Sequence, residues 1–417
     1  MPTLFYPPQS SRVTALDRWL VERMLSLLRN PPFGFKLWSG EEVVTHVSRV
    51  RRWICVPDRS KLYKLLANPG LYMGEYYSDG SVQIEGDLWS FLLDLHASLV
   101  AGDRDPSLMW KLIRRPAQRR PSTPEAAKDN IHQHYDLGNE FYQLWLDKAA
   151  MQYTCAYFAR PDMTLEQAQI AKLDHVCRKL RLKPGDTVVE AGCGWGGLAR
   201  HMARNYGVTV KAFNISHEQI IFARERAAHE GLADRVEYIE DDYRNIQGRF
   251  DVFVSVGMLE HVGPEQYRHL GAVIDRCLKR DGRGLIHSVG SNAQTPMNDW
   301  LQRRIFPGSY VPTLREMMEV FEPHFLSVLD VENLRLHYEL TLRAWLERFE
   351  RHADVIRSRY SDDFVRAFRF YLAGCGTAFA AGSLQLFQVV FAKANNNDLP
   401  WSRRHLYDAY HDGERRD

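Results

Sequence analysis

Apolar and polar positions recur with two different periods along this chain, and the change of period divides it. Over residues 14–29 apolar side chains return at helical spacing among charged ones, which predicts an amphipathic helix. Asn30-Pro-Pro-Phe-Gly34 ends that helix. Strand-like pieces follow at 34–38 and 42–47. A second helix is expected over 61–67 and is stopped by Asn68-Pro-Gly70. The stretch 74–80, with a glycine at each end, reads as a turn, and 88–99 as an apolar helix. Residues 1–102 therefore read as a small α+β unit, whose apolar helices are most simply core.

The pattern lapses over 103–128, a stretch rich in proline and arginine that reads as a linker. From 129 to 417 strands and helices alternate. A strand, a glycine-rich turn and a helix occupy 187–205. A helix over 216–229 has Ser216 as its N-cap. Strands are expected at 236–239, at the almost continuously apolar run 250–256, at 284–289 and at 386–393, with helices over 343–360 and 362–381. This alternation predicts an α/β fold, a doubly wound parallel sheet with helices on both faces.

Composition changes the picture in three places. With 417 residues and 45% apolar content, the chain can bury the core of two or three domains. A net charge of +2 gives no push toward nucleic acid. The charge is uneven, however: Lys111, Arg114, Arg115, Arg119 and Arg120 crowd the linker, either as a solvated stretch or as a patch for anionic lipid head groups. The six cysteines form no Cys-x-x-Cys pair, so no metal site is expected and reduced cytoplasmic thiols are the default. Arg12, Asp17, Arg18, Glu22 and Arg23 break any signal-peptide pattern. No segment approaches the roughly 20 apolar residues that span a bilayer, so membrane contact is expected to be peripheral.

The chemistry concentrates at Val188-Val-Glu-Ala-Gly-Cys-Gly-Trp-Gly-Gly-Leu198. An apolar strand running into a glycine turn and a helix is how a doubly wound domain opens a nucleoside-binding cleft. Gly192, Gly194 and Gly197 also satisfy Gly-x-Gly-x-x-Gly, which suits a dinucleotide as well. Glu190 before the turn favours a cationic ligand, and S-adenosylmethionine, with its sulfonium and ammonium, fits. The second strand ends in Asn214-Ile-Ser216, where both readings would want an acid. Glu260, His287 and the Asp241-Asp-Tyr243 turn fall at or near other strand ends. A second polar and aromatic cluster lies upstream, at 132–139 and 151–158.

Five blocks carry a resemblance: His134-Tyr-Asp-Leu-Gly-Asn139, Gln152-Tyr-Thr-Cys-Ala-Tyr157, Glu190-Ala-Gly-Cys-Gly-Trp-Gly-Gly197, Ser255-Val-Gly-Met-Leu-Glu-His-Val-Gly263 and Gln385-Leu-Phe-Gln-Val-Val-Phe391. In order and spacing they resemble the signature blocks of cyclopropane-fatty-acid-phospholipid synthases and the mycolic acid cyclopropane synthases. The resemblance runs from about 130 to 393 and more weakly covers 70–80 with 87–95. It implies a class I methyltransferase with a Rossmann-like sheet. The implied reaction transfers a methylene from S-adenosylmethionine to the cis double bond of an unsaturated phospholipid acyl chain.

In this family the base is thought to be a bound bicarbonate. Carried over by position, its cradle is Cys155, Glu260, His287 and Tyr338, with Val289, where some relatives have Ile, contributing its backbone. Positions that resemble the cofactor contacts are Tyr135, Tyr153, Thr154, Glu190, Gly192, Gly194, Trp195, Asn214, Ser216, Gln219, Asp242, Tyr243 and Arg244. Polar residues at 214 and 216 are themselves a family habit. Tyr153, Phe306 and Tyr338 offer aromatic faces to a carbocation, or simple core packing. Phe306-Pro-Gly308 and the helices from 313 to about 379 are expected to build the acyl pocket. Cys155 also admits a reading as a covalent nucleophile, but an activated methyl donor needs no thiol intermediate.

The resemblance further implies a homodimer at the inner face of the membrane, with the α+β domain of residues 1–102 engaging lipid. Three rival readings stay open: a relative that leaves a methylene- or methyl-branched chain, a noncatalytic lipid-binding protein, and an NAD oxidoreductase.

Overall fold

The computed structural model describes residues 12–45, 50–101 and 137–407. Tyr135 and the basic run 111–120 lie outside the described residues. The chain divides into two units: Met1–Gln118 with Thr295–Phe306 and Leu342–Leu384, and Arg119–Gln294 with Pro307–Thr341 and Gln385–Asp417.

The first unit carries a four-stranded sheet, β1 (Phe33–Lys36), β2 (Glu42–Val43), β3 (Arg52–Cys55) and β4 (Gln83–Glu85), in the order β2-β1-β3-β4. Its first helix, Ala15–Leu27, opens with a capping box between Thr14 and Asp17. Asp17 is fully buried and accepts hydrogen bonds from Arg59 Nη2 at 2.8 Å and Tyr63 Oη at 2.9 Å. Burial alone would raise its carboxyl; the Arg59, Thr14 and Tyr63 hydrogen bonds hold it well below the usual carboxylate range.

Two expectations for this unit are corrected. The stretch 74–80 is not a turn: the helix Pro69–Ser78 runs through it, with Asn68 as N-cap and the chain reversing only at Asp79 and Gly80. Gly74 is there for space, because a Cβ would stand 2.4 Å from the Trp300 ring. The division at 102 and 128 into contiguous domains also differs from the structure. The helix Asp362–Ala381 packs on Pro69–Ser78 and Leu88–Ala101, and its Ala373 joins the core that holds Phe33, Phe35 and Phe91. Periodicity finds helices but not their partners, so this return of the chain was invisible in the sequence.

The second unit is built on β5 (Thr187–Ala191), β6 (Thr209–Asn214), β7 (Val236–Glu240), β8 (Phe250–Val256), β9 (Leu278–Gly290), β10 (Leu326–Asn333) and β11 (Gln385–Lys393). Their order is β10-β11-β9-β8-β5-β6-β7. Every pair from β7 to β9 is parallel, and β11 lies antiparallel between β9 and β10. The direction of winding reverses between β5 and β8, and a doubly wound sheet binds its ligand at that crevice. This is the doubly wound α/β sheet expected from the sequence. β10 and the helix Leu165–Lys179 were not anticipated, and β9 begins earlier than expected. Among the described residues, no helix is long and apolar enough to cross a membrane.

Candidate active site

The glycine turn leaves β5 at its carboxyl end. Gly192 and Cys193 donate backbone hydrogen bonds to Phe213 O of β6 at 2.9 and 3.1 Å, which stitches the turn to the neighbouring strand. Gly194 and Gly196 sit at φ of 53° and 74°. A Cβ on Gly196 would lie 2.4 Å from Tyr238 Oη, whereas one on Gly194 would meet nothing within 4 Å. Gly196 is thus required by the protein, and Gly194 leaves an opening.

Asn214 closes the end of β6, where an acid would be usual. Its Nδ2 donates to Gly194 O at 3.3 Å and to Gln219 Oε1 at 2.7 Å, and its Oδ1 accepts from Ser216 N at 3.4 Å. An amide gives both a donor and an acceptor to this junction; a carboxylate could only accept. Ser216 stands at the N-cap of the helix His217–His229, but its hydroxyl makes no capping bond.

A cleft opens at these strand ends, lined by Gly192, Asn214, Asp242, Tyr243 and Arg244 among the expected residues. Asp242 accepts from Arg244 Nε at 2.8 Å and Nη2 at 3.0 Å, and Arg244 lies over the Tyr243 ring. Phe213, Asp241, Met258 and His261 also line the cleft and were not singled out for the cofactor. His261 Nδ1 lies 3.1 Å from Ser309 Oγ, and burial pushes the imidazole down to about 4, so it is neutral here.

Beneath the turn Glu190 is 2% exposed, and its Oε2 has no hydrogen-bond partner. Burial raises its carboxyl to about 8, opposed by the charges of Lys172 and Arg200. A carboxyl held neutral by burial would ionise beside a cationic amine or sulfonium, because a nearby opposite charge favours its charged form. The Trp195 indole donates to Asn139 Oδ1 at 2.7 Å and packs on Tyr142 at 4.9 Å, contacts that brace the turn. Tyr153 packs against Tyr142 and Trp145, and Thr154 Oγ1 accepts from Lys172 at 2.9 Å.

The second cluster gathers where β9, β11 and the end of β10 run side by side. Val289 pairs with Leu386, and Leu334 N donates to Leu386 O at 2.8 Å. Cys155 Sγ lies 3.9 Å from Leu334 O, and Tyr338 N donates to the same carbonyl at 3.2 Å. The sheet register thus draws Cys155, Val289 and the Tyr338 turn together. Glu260 joins them through Oε1, which accepts from Val289 N at 2.6 Å. The Val289 amide, expected to face an anion, is therefore engaged by Glu260.

Three buried groups set the chemistry. Glu260 Oε2 has no partner, and burial raises the carboxyl to about 7. His287 is 1% exposed; its Nδ1 lies 3.0 Å from Gln388 Nε2, its Nε2 has no partner, and burial holds it well below its ordinary value. With Gln388 donating to Nδ1, the neutral ring carries its proton on Nε2. Cys155 is fully buried, its thiol is pushed up by burial, and its Sγ lies 3.1 Å from Ala156 O, so no thiolate nucleophile forms. One orphaned donor and one orphaned carboxyl oxygen fit a small oxyanion with both acceptor and donor capacity, and bicarbonate has both.

Of the residues expected to build an acyl pocket, some fall in each unit. Phe306 belongs to the first, where it meets Tyr371 edge-on at 5.4 Å; Pro307–Thr341 belongs to the second.

The profile of the mycolic acid cyclopropane synthetase family matches residues 122–389. A probable fatty acid methyltransferase of Pseudomonas putida is 36% identical over 388 residues, 90% of this chain and 96% of its own. The cyclopropane-fatty-acyl-phospholipid synthase of Escherichia coli (strain K12) is 46% identical over 273 residues, 65% of this chain and 69% of its own. Among solved structures, the mycolic acid cyclopropane synthase CmaA1 complexed with SAH and CTAB superposes with a TM-score of 0.61 at 29% identity, covering 64% of this chain and 98% of that one.

Proposed function

The chain belongs to the mycolic acid cyclopropane synthetase family and is an S-adenosylmethionine-dependent methyltransferase; from that premise we propose that it converts cis double bonds of phospholipid acyl chains into cyclopropane rings. The observation that carries this reading is that two buried polar atoms without partners, Glu260 Oε2 and His287 Nε2, belong to the ends of the adjacent strands β8 and β9, where Glu260 bonds Val289 two residues from His287. The named activity of the Escherichia coli relative supports it.

The alkene's electron pair forms a carbon–carbon bond to the sulfonium methyl, and the sulfur leaves with the electrons of the broken bond. The other alkene carbon becomes a cation. Loss of one proton from the new methyl then lets its carbon close the ring. An alkene is a weak nucleophile, so holding the donor in line at near-attack distance supplies much of the acceleration. Glu190 and the cleft at Asn214 and Asp242 would hold the donor.

Bound bicarbonate would supply the base for that proton. His287, donating from Nε2, and Glu260, protonated over part of the physiological range, would hold it. Cys155 closes the site as a small buried thiol. We further propose that the chain works at the inner membrane surface, as a homodimer, on unsaturated phospholipids.

A second reading has a specific observation behind it. The relative that spans nearly the whole chain is named a probable fatty acid methyltransferase. Loss of a proton from a neighbouring chain carbon of the same cation would give a methyl-branched alkene, and a 1,2-hydride shift followed by loss of a proton from the new methyl would give a methylene branch.

Mass spectrometry of lipids from cells that lack cyclopropane lipids and express this chain tests both. A gain of one CH2 with loss of alkene reactivity is expected. The same gain with a surviving alkene would replace ring closure by branching, and no gain would point to another acceptor.

A further inference from the structure

Lys172 is the least expected residue in the second unit. It lies on the helix Leu165–Lys179, whose buried face holds Leu165, Ala168, Leu173 and Val176. Position 172 belongs to that face, yet it carries an ammonium with no exposure. An unpaired buried cation costs several kcal/mol, so its partners must be identified. They are Gln152 Oε1 at 2.5 Å and Thr154 Oγ1 at 2.9 Å, both on the segment that ends in Cys155.

That segment is held by a set of buried polar contacts. Asp147, 1% exposed, accepts from Ala150 N at 2.7 Å and Gln152 N at 2.8 Å. Gln169, one turn before Lys172, donates to Thr154 O at 2.9 Å. On its other side the segment touches the first turn of the glycine-turn helix so closely that a Cβ on Gly197 would lie 2.3 Å from Ala150 O. Thr154 Cγ2 closes against Gly257 at the end of β8. The segment therefore spans from the cofactor turn to the strand end that leads to Glu260. The charge of Lys172 also acts on Glu190, Cys155 and His287.

Resting on the function proposed above, we propose that Lys172 is a positioning residue. Its buried ammonium, bonded to Gln152 and Thr154, locks residues 152–155 against the Gly197 helix, so that the methyl donor and the groups that handle the proton share one fixed frame. Nothing in the chemistry requires Lys172 to touch substrate. Its effect is geometric, and a displacement of about 1 Å at such a site costs about 100-fold in rate.

The test uses the full chain and three measurements: melting temperature, binding of S-adenosylhomocysteine by calorimetry, and turnover on vesicles of cis-monounsaturated phospholipid. Lys172→Met should fold but melt somewhat below the wild type, because the desolvation cost it removes is offset by leaving Gln152 Oε1 buried without a donor. It should still bind S-adenosylhomocysteine, and kcat should fall about 10–100-fold. Gln152→Leu should fall similarly, while Gln152→Glu, which keeps an acceptor for the ammonium but loses the donor to Ala150 O, should retain more turnover than Gln152→Leu. The double variant Lys172→Met/Gln152→Leu should be no worse than the worse single variant. A folded Lys172→Met with wild-type kcat, or losses that multiply in the double variant, would overturn the proposal. Should Lys172→Met fail to fold, the Gln152 pair decides, and wild-type turnover in Gln152→Leu overturns it.

Hydrogen exchange over residues 150–158 separates this proposal from the functional reading. Loss of the lock should speed exchange there by about 10-fold or more, with the rest of the second unit unchanged. Wild-type protein that makes no lipid product would sink the function; unchanged exchange in Lys172→Met would sink the lock.

Discussion

The backbone nitrogen of Val289 lies 2.6 Å from Glu260 Oε1, a contact between residues 29 apart in sequence. It fixes one carboxyl oxygen and leaves the other, Oε2, buried and unbonded. The contact follows from the sheet, because Glu260 sits on the short helix that follows β8 and Val289 lies near the end of the adjacent β9.

Glu260→Gln keeps the shape and the oxygen that can accept from Val289 but cannot exchange a proton. S-adenosylhomocysteine affinity should stay within about 3-fold, while turnover falls about 100-fold or more. Full activity would remove Glu260 from the mechanism. The same variant tests the titration. The carboxyl is raised from 4.5 to about 7, so the stability it contributes is complete below pH 4.5 and is lost as pH rises through 7. Glu260→Gln cannot ionise, so its melting temperature should gain on the wild type between pH 5 and 8. The gain corresponds to at most about 3 kcal/mol. A gap constant with pH would place the carboxyl's titration elsewhere.

Two glycines two residues apart should respond differently to one methyl group. Gly196→Ala drives a Cβ into Tyr238 and should lower the melting temperature sharply. Gly194→Ala finds open space and bears only the left-handed backbone strain, about 1–2 kcal/mol. It should fold, yet lose at least about 10-fold in S-adenosylmethionine affinity, because the space at Gly194 is read as the ligand's. Calorimetry on folded Gly194→Ala with wild-type affinity would move the ligand away from that turn.

The strand–turn–helix at Glu190 and Gly192–Gly197 was legible because its signal is local: an apolar run, then glycines where only glycine fits. The apolar strand at β8 was legible for the same reason. What stayed hidden depends on partners far away in sequence. Trp300 accounts for the glycine at 74, which lies within a helix and not a turn, and Ala373 carries its helix back to the first unit. Lys172 left a trace, a lysine at a core position of an apolar stripe, but that helix itself went unread. The orphaned state of His287 Nε2 belongs to geometry alone, since it depends on Gln388 taking Nδ1.

Glu332 offers a stability test away from the reaction. It lies 2.7 Å from His175 Nε2 and 2.6 Å from Lys179 Nζ, and both of those residues are buried. Burial raises its carboxyl, but the hydrogen bond from His175 and the charge of Lys179 bring it down to about 2. Its stabilisation is therefore present above pH 4.5 and is lost as pH falls through 2. Glu332→Gln leaves Lys179 buried without its counter-charge, at a cost of about 3 kcal/mol at pH 7. Thermal melts should show that gap holding from pH 7 down to pH 4.5 and narrowing as pH falls from there toward 2. A gap that stays wide in acid would mean the loss is packing, not charge.

The arginines at 114–120 give a test of whether the chain meets anionic lipid head groups or carries a solvated stretch there. Arg114, Arg115, Arg119 and Arg120 stand within seven residues of one another in sequence. Near an anionic bilayer each such charge is worth about 1 kcal/mol, so replacing all four with glutamine should weaken binding by several hundred-fold at low salt. The effect should shrink as ionic strength rises, because the Debye length falls to about 8 Å at 0.15 M. Sedimentation with vesicles of phosphatidylglycerol, against neutral phosphatidylcholine vesicles, measures this directly. Equal loss on both would assign the change to folding; unchanged binding to the anionic vesicles would return the run to a solvated linker and leave lipid contact to other surfaces.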